Sequence, residues 1–148
     1  MQDNPPPDAI VLRRALACPP EAAWTALTDQ ARIAEWWGDY VPLEATPQGS
    51  FREEWRDGDG RTVTTSGKIT RFEPPATLEL TWKDEDWPVQ TMVRFTIAPD
   101  AGGTVLTVLH AGWNRFPEQR GPALRKAHEA GWRLHLDSLA ALLDGDAP

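Results

Sequence analysis

Residues 121–145, GPALRKAHEAGWRLHLDSLAALLDG, read as a single helix of about six turns. Pro122 is preset for a first turn, and Gly145 follows the last apolar pair, where a helix usually stops. At about 100° per residue, Trp132, Leu136, Leu139 and Leu143 fall on one stripe. Leu124, His128, His135 and Leu142 flank it on one shoulder and Ala140 on the other, while Lys126, Arg133, Leu134, Asp137 and Asp144 take the opposite side. Such a stripe must be covered, and nearly everything upstream has the two-residue period of strands. The expected cover is therefore the face of a curved antiparallel sheet. Gly131 stands inside the helix at a cost of about 1 kcal/mol relative to Ala, which suggests close approach of backbone, a neighbouring side chain or a ligand beside Trp132.

Upstream, residues 1–8 are polar and proline-rich and are expected to form a disordered tail, with one domain over residues 9–145. Residues 9–16 read as a first strand. Pro19 and Pro20 open a short helix through Leu27, and Thr28 or Asp29 caps a second, closed by Gly38. Strands then follow over residues 50–56, 61–72, 77–82, 89–97 and 104–110, separated by the turn signals DGDG, Pro74-Pro75, an acidic loop over 83–88, and DAGG. Alternation puts Phe51, Glu53 and Trp55 on the inner face, with Leu78, Leu80 and Trp82, with Val93, Phe95 and Ile97, and with Leu106, Val108 and His110. Residues 111–119, AGWNRFPEQ, present Trp113 and Phe116 in a polar loop, as a gate, as one side of a dimer contact, or folded back on the sheet end.

A chain of 148 residues is long enough to bury a single core. Fifteen basic against twenty-two acidic residues give a net charge of −7 with the arginines scattered, which argues against nucleic acid and against an anionic membrane as partners. One cysteine, Cys18, no signal-peptide pattern and no apolar run of 18 residues point to a reduced, cytoplasmic setting. Eight tryptophans require either an aromatic core or a cavity lined with them.

A strand, two short helices, a meander and a closing helix together resemble the α+β helix-grip fold, START-like or Bet v 1-like. The segments TDQARIAEWWG, GSFREEW, Gly60 and Gly67 flanking a strand, EPPATLELTW, GGTVLTVLHAGW and HEAGWRLHLDSLAALL narrow this to a resemblance to the Activator of Hsp90 ATPase homologue 1-like family of the SRPBCC superfamily, over residues 9–143. The resemblance implies a cavity between the long helix and the concave sheet. Its relatives range from lipid and hormone binders to polyketide cyclases and oxygenase domains, so it implies no single reaction. The family name adds a chaperone-interacting, stress-response module as a reading. The eukaryotic co-chaperones of that name carry a further N-terminal domain, for which this length leaves no room.

The candidate ligand site comprises Trp37, Phe51, Trp55, Trp82, Phe95 and Trp132 as apolar walls, with Glu53, His110, His128 and His135 as polar contacts. The alternative is that most of these rings simply pack the core. A metal is not expected: His128 and His135 are about 10.5 Å apart along one helix axis, and zinc ligands sit about 2.1 Å from the ion. Glu53 in a dry cavity would have its pKa raised, as a general acid or base needs, unless it pairs with an arginine or meets solvent. Asp57 and Asp59 echo a calcium loop, but Arg61 takes a ligand position and a tight turn fits better. Cys18 has no histidine nearby in sequence to activate it.

The leading expectation is a domain that binds a small hydrophobic or amphipathic molecule without a cofactor. A cyclase- or hydrolase-type enzyme using the same cavity is the first alternative, and the chaperone-interacting module the second.

Overall fold

The computed structural model describes residues 6–38 and 41–146, so most of the expected tail lies outside the described residues. β1 (Ile10–Leu16) buries Ile10, Leu12 and Leu16. α1 (Pro20–Thr28) begins on the proline whose fixed φ suits a first turn, with Glu21 near the positive end of the helix dipole. Asp29 ends α1 and caps α2 (Gln30–Trp36), its carboxylate accepting from the Arg32 N–H at 3.2 Å. The two short helices are therefore hinged on one capping residue.

β2 (Ser50–Arg56), β3 (Thr62–Glu73), β4 (Thr77–Asp84), β5 (Thr91–Asp100) and β6 (Gly103–Ala111) complete a six-stranded antiparallel sheet in the order β1-β6-β5-β4-β3-β2. The inner face follows the expected alternation: Leu78 stands opposite Phe95, Leu80 opposite Val93, Phe95 opposite Val108 and Ile97 opposite Leu106. All of these are buried, as are Trp82 and His110. Two glycines are forced. Gly60 has φ of +81° in the turn after β2, and a Cβ on Gly67 would lie 1.7 Å from the Thr81 carbonyl oxygen, so β3 can pass β4 only without a side chain there.

The closing helix, α3, runs over Arg120–Asp146. It passes through Gly145 instead of stopping there, because a glycine with helical φ lacks the left-handed turn that ends a helix. Its stripe of Trp132, Leu136, Leu139 and Leu143 is buried against the sheet, completing the α+β helix-grip arrangement. α3 packs most closely on β1, on α2 and on the two single-turn 3-10 segments that precede it. Arg125 donates to the carbonyl oxygens of Asp8 and Ala9, Asp144 accepts from the Ala17 N–H, and Arg14 pairs with Asp137. The helix thus leans toward the β1 edge and leaves the β2–β3 side of the sheet less covered.

Three expectations need correction. Of the three placements expected for Trp113 and Phe116, the folded-back one is found and exposure to solvent is not: they are 2% and 7% exposed, stacked on each other and edge-on to Trp87. Gly112, at φ of +111°, turns the chain back over the end of the sheet, and Trp113 Nε1 donates to the His110 carbonyl. Neither ring is free to act as a gate or a dimer contact. The expected acidic loop over 83–88 is partly strand, since β4 continues to Asp84 and the same alternation carries Asp84 inward. β5 starts at Thr91, later than expected, and Val89 belongs to the loop before it.

Candidate functional site

The less covered side of the sheet holds a half-open pocket of about 380 Å³. β2 contributes Glu53 and Trp55, β3 contributes Thr65, and β4 contributes Trp82. α3 supplies the facing wall through Ala127, His128, Gly131, Trp132 and His135. Six of the residues expected from sequence therefore meet here: Glu53, Trp55, Trp82, His128, Trp132 and His135.

Trp37, Phe51, Phe95 and His110 do not line it. They form the packed layer behind, where Trp37 at the end of α2 touches Phe51, Trp82, Phe95 and Trp132 with ring centroids 5.3 to 6.5 Å apart. Alternation told which face each occupies but not where the helix would close over it. Thr65 and Ala127 are not among the site residues expected from sequence, and Gly131 is expected there only as a place where backbone, a side chain or a ligand comes close to Trp132. Thr65 is the cross-strand partner of Glu53, and Ala127, Gly131 and His135 recur every four residues, so both signals were present in principle.

Gly131 resolves one expectation. A Cβ there would meet nothing within 4 Å, so neither backbone nor a side chain approaches it. The close approach of backbone or side chain is therefore not found, and no packing contact requires a glycine at this position.

A polar chain frames the strand side of the pocket. Trp55 Nε1 donates to Thr65 Oγ1 at 2.9 Å, and the Thr65 hydroxyl donates in turn to Asp84 Oδ1. Burial pushes the Asp84 carboxyl up, opposed by that hydrogen bond and by the nearby His128. Burial likewise pushes Glu53 up to about 7, with the charge of Asp84 adding to the rise and the Trp37 indole opposing it. Among the described residues Trp37 Nε1 makes no hydrogen bond of good geometry, so its effect on Glu53 is that of a nearby N–H dipole.

Deeper in, a second chain is fully determined. Trp132 Nε1 donates to His110 Nδ1 at 3.1 Å, which puts the ring proton on Nε2, facing Thr91 Oγ1 at 2.7 Å; that hydroxyl donates to the Trp82 carbonyl at 2.8 Å. His110 is completely buried, and burial holds its pKa well below the ordinary value, as a neutral ring with both nitrogens engaged requires. His128 Nδ1 donates to the Leu124 carbonyl at 2.8 Å, leaving Nε2 as an acceptor. Burial lowers His128 and His135 as well, so both are neutral at and above neutral pH. Although the rings of His110 and His128 are 5.5 Å apart, no group of three or more His, Cys, Asp or Glu among the described residues could hold a metal.

The other candidates resolve simply. Asp57 accepts from the backbone N–H groups of Asp59 and Arg61 and from the Arg61 side chain, which makes a tight turn. Burial raises the Cys18 thiol, the opposite of what an activated nucleophile needs.

The Glu53 shift has a measurable consequence. Between the ordinary value of 4.5 and the folded value of about 7, the folded state keeps a proton that the unfolded state has lost. Stability from this group therefore falls as pH rises through that window, by an amount on the order of 3 kcal/mol at most. The buried histidines act in the opposite sense, costing stability as pH falls below 6.5. Comparison with Glu53→Gln isolates the carboxyl: relative to the parent, the variant should gain about 2–3 kcal/mol more urea stability at pH 8 than at pH 5. Equal offsets at both pH values would contradict the assigned shift.

A family model described as Activator of Hsp90 ATPase homolog 1-like protein matches residues 17–144. Among solved structures, the chain resembles MLL2253 from Mesorhizobium loti, at 27% identity over 93% of this chain and 98% of that one, with a TM-score of 0.76. It also resembles CalU16 from Micromonospora echinospora, at 26% identity over 95% of this chain and 81% of that one, with a TM-score of 0.74. The Aha1 dimer from Colwellia psychrerythraea shares the fold at 19% identity, covering 92% of this chain and 96% of that one, with a TM-score of 0.74. No curated protein matches the chain. No helix among the described residues is long and apolar enough to cross a membrane.

Proposed function

This chain belongs to the Activator of Hsp90 ATPase homolog 1-like protein family, and from that premise we propose that it binds a small hydrophobic or amphipathic molecule in the pocket between α3 and the β2–β3 side of the sheet. The observation that carries the reading is Gly131: a glycine held in mid-helix at a cost of about 1 kcal/mol, with no neighbour to excuse it, opening onto a wall of indole rings. The volume of about 380 Å³ falls within the range usual for small-molecule sites, roughly 300–1,000 Å³.

An enzyme using the same pocket would need an acid–base pair. Glu53 has a suitable pKa, of about 7, but none of its contacts among the described residues is a hydrogen bond to a histidine, and His110 is fully engaged elsewhere. Binding is therefore the reading that the geometry supports best.

Gly131→Leu tests it directly. Leucine is a better helix former than glycine and would project into open space, so the variant should fold at least as stably as the parent. It should bind the neutral fluorescent probe N-phenyl-1-naphthylamine at least tenfold more weakly. A parent that takes up no probe, or a variant that binds it undiminished, would remove the pocket from consideration.

A further inference from the structure

The walls of the pocket say something about the charge of its occupant. Trp55, Trp82 and Trp132 present indole rings, Trp55 being 38% exposed at the mouth. The charged groups around them are acidic: Glu53 on the wall, and Asp84 immediately behind Thr65. Among the described residues, no lysine or arginine lines the pocket. Lys83, adjacent to Asp84 in sequence, is turned away by the strand alternation and donates to the carbonyl oxygens of Asp84 and Glu85.

The remaining polar groups do not welcome an anion either. His128 offers a lone pair on Nε2, because its Nδ1 proton is engaged by Leu124. The unpartnered N–H groups of Trp37 and Trp82 are sealed beneath the surface and face no solvent. A carboxylate or phosphate entering the pocket would lose its water, meet no cation and face the Glu53 carboxyl, with the single N–H of the neutral His135 ring as its one donor on the wall. An alkylammonium would meet ring faces, whose quadrupole attracts cations, and a carboxylate.

We infer that the pocket selects a cationic amphiphile, an amine or quaternary ammonium whose head lies among Trp55, Trp82, Trp132 and Glu53 with its apolar tail along α3. The inference rests on the binding reading above and names the ligand class for the same site. It follows from the combination of aromatic walls, an inward carboxylate and the absence of a lining cation; no one of these would suffice.

The test compares octyltrimethylammonium, 1-octanol and octanoate as competitors of N-phenyl-1-naphthylamine at pH 8.5, where the Glu53 carboxyl is ionised. The ammonium should displace the probe at a concentration at least tenfold lower than octanoate and at least threefold lower than octanol. In Glu53→Gln and in Trp55→Leu the ratio of octanol to ammonium potency should fall to within twofold of unity. Trp55 is partly exposed, so its variant keeps the core; should Glu53→Gln prove misfolded by circular dichroism, Trp55→Leu decides alone. Octanoate as potent as the ammonium, or an ammonium preference unchanged in the folded variants, would overturn the charge assignment while probe and octanol binding keep the pocket. Failure of the parent to bind the probe or any of the three compounds would overturn both.

Discussion

Leu139→Ala should lower the unfolding free energy by about 3–4 kcal/mol and the melting temperature by about 10 °C. Leu139 is fully buried in the middle of the α3 stripe, between Leu136 and Leu143, where both the lost transfer energy and the cavity left behind count. The helix itself would not suffer, since alanine is the better helix former. Any loss therefore reports on packing against the sheet. Urea denaturation followed by far-ultraviolet circular dichroism measures it, and a loss below about 1 kcal/mol would mean that α3 does not clasp the sheet as described.

The second large effect belongs to the buried chain Trp132–His110–Thr91. His110→Phe preserves an aromatic ring of similar size but leaves the Trp132 N–H without an acceptor and Thr91 Oγ1 without its donor. With the buried Trp132 N–H left unpaired and Thr91 Oγ1 keeping only its bond to the Trp82 carbonyl, a cost of about 2–3 kcal/mol is expected. Trp132→Phe strands His110 Nδ1 instead and also removes volume. The double variant orphans fewer groups than the two singles together, so the cycle should show a coupling of about 1–2 kcal/mol. Additivity within about 0.4 kcal/mol would mean that these bonds are not the ones that matter.

The helix stripe and the strand faces could be read from sequence because each depends on a period. Trp132, Leu136, Leu139 and Leu143 follow the helical repeat, and Leu78, Leu80 and Trp82 the strand repeat. What could not be read depends on where elements meet. His110 was identified as inward, but its partners stand 19 and 22 residues away, and nothing local distinguishes a hydrogen-bonded core histidine from one on a cavity wall. Phe51 and Phe95 were placed on the correct face, yet the tilt of α3 toward β1 decides that they are packed while Trp55 stays open. For Trp113 and Phe116 the polar neighbours in sequence leave gate, dimer contact and fold-back equally open; one glycine with positive φ, Gly112, decides for the last. Asp84 was hidden by the acidic residues after it, although the alternation that buried Trp82 already reached it.

Among the described residues β1 has one strand partner, the last strand β6, with Ile10 facing His110 and Leu16 facing Thr104. As the domain is made, its first strand must therefore wait, unpaired, until β6 has been synthesised. Closing so long a loop carries an entropic cost before any pairing rewards it, which makes the final docking a slow, non-local event. A nascent chain halted before β6 would have no partner for β1 and, without α3, only α1 and α2 to cover the inner face of the strands already made, so the domain is expected to fold as one unit once α3 has been made.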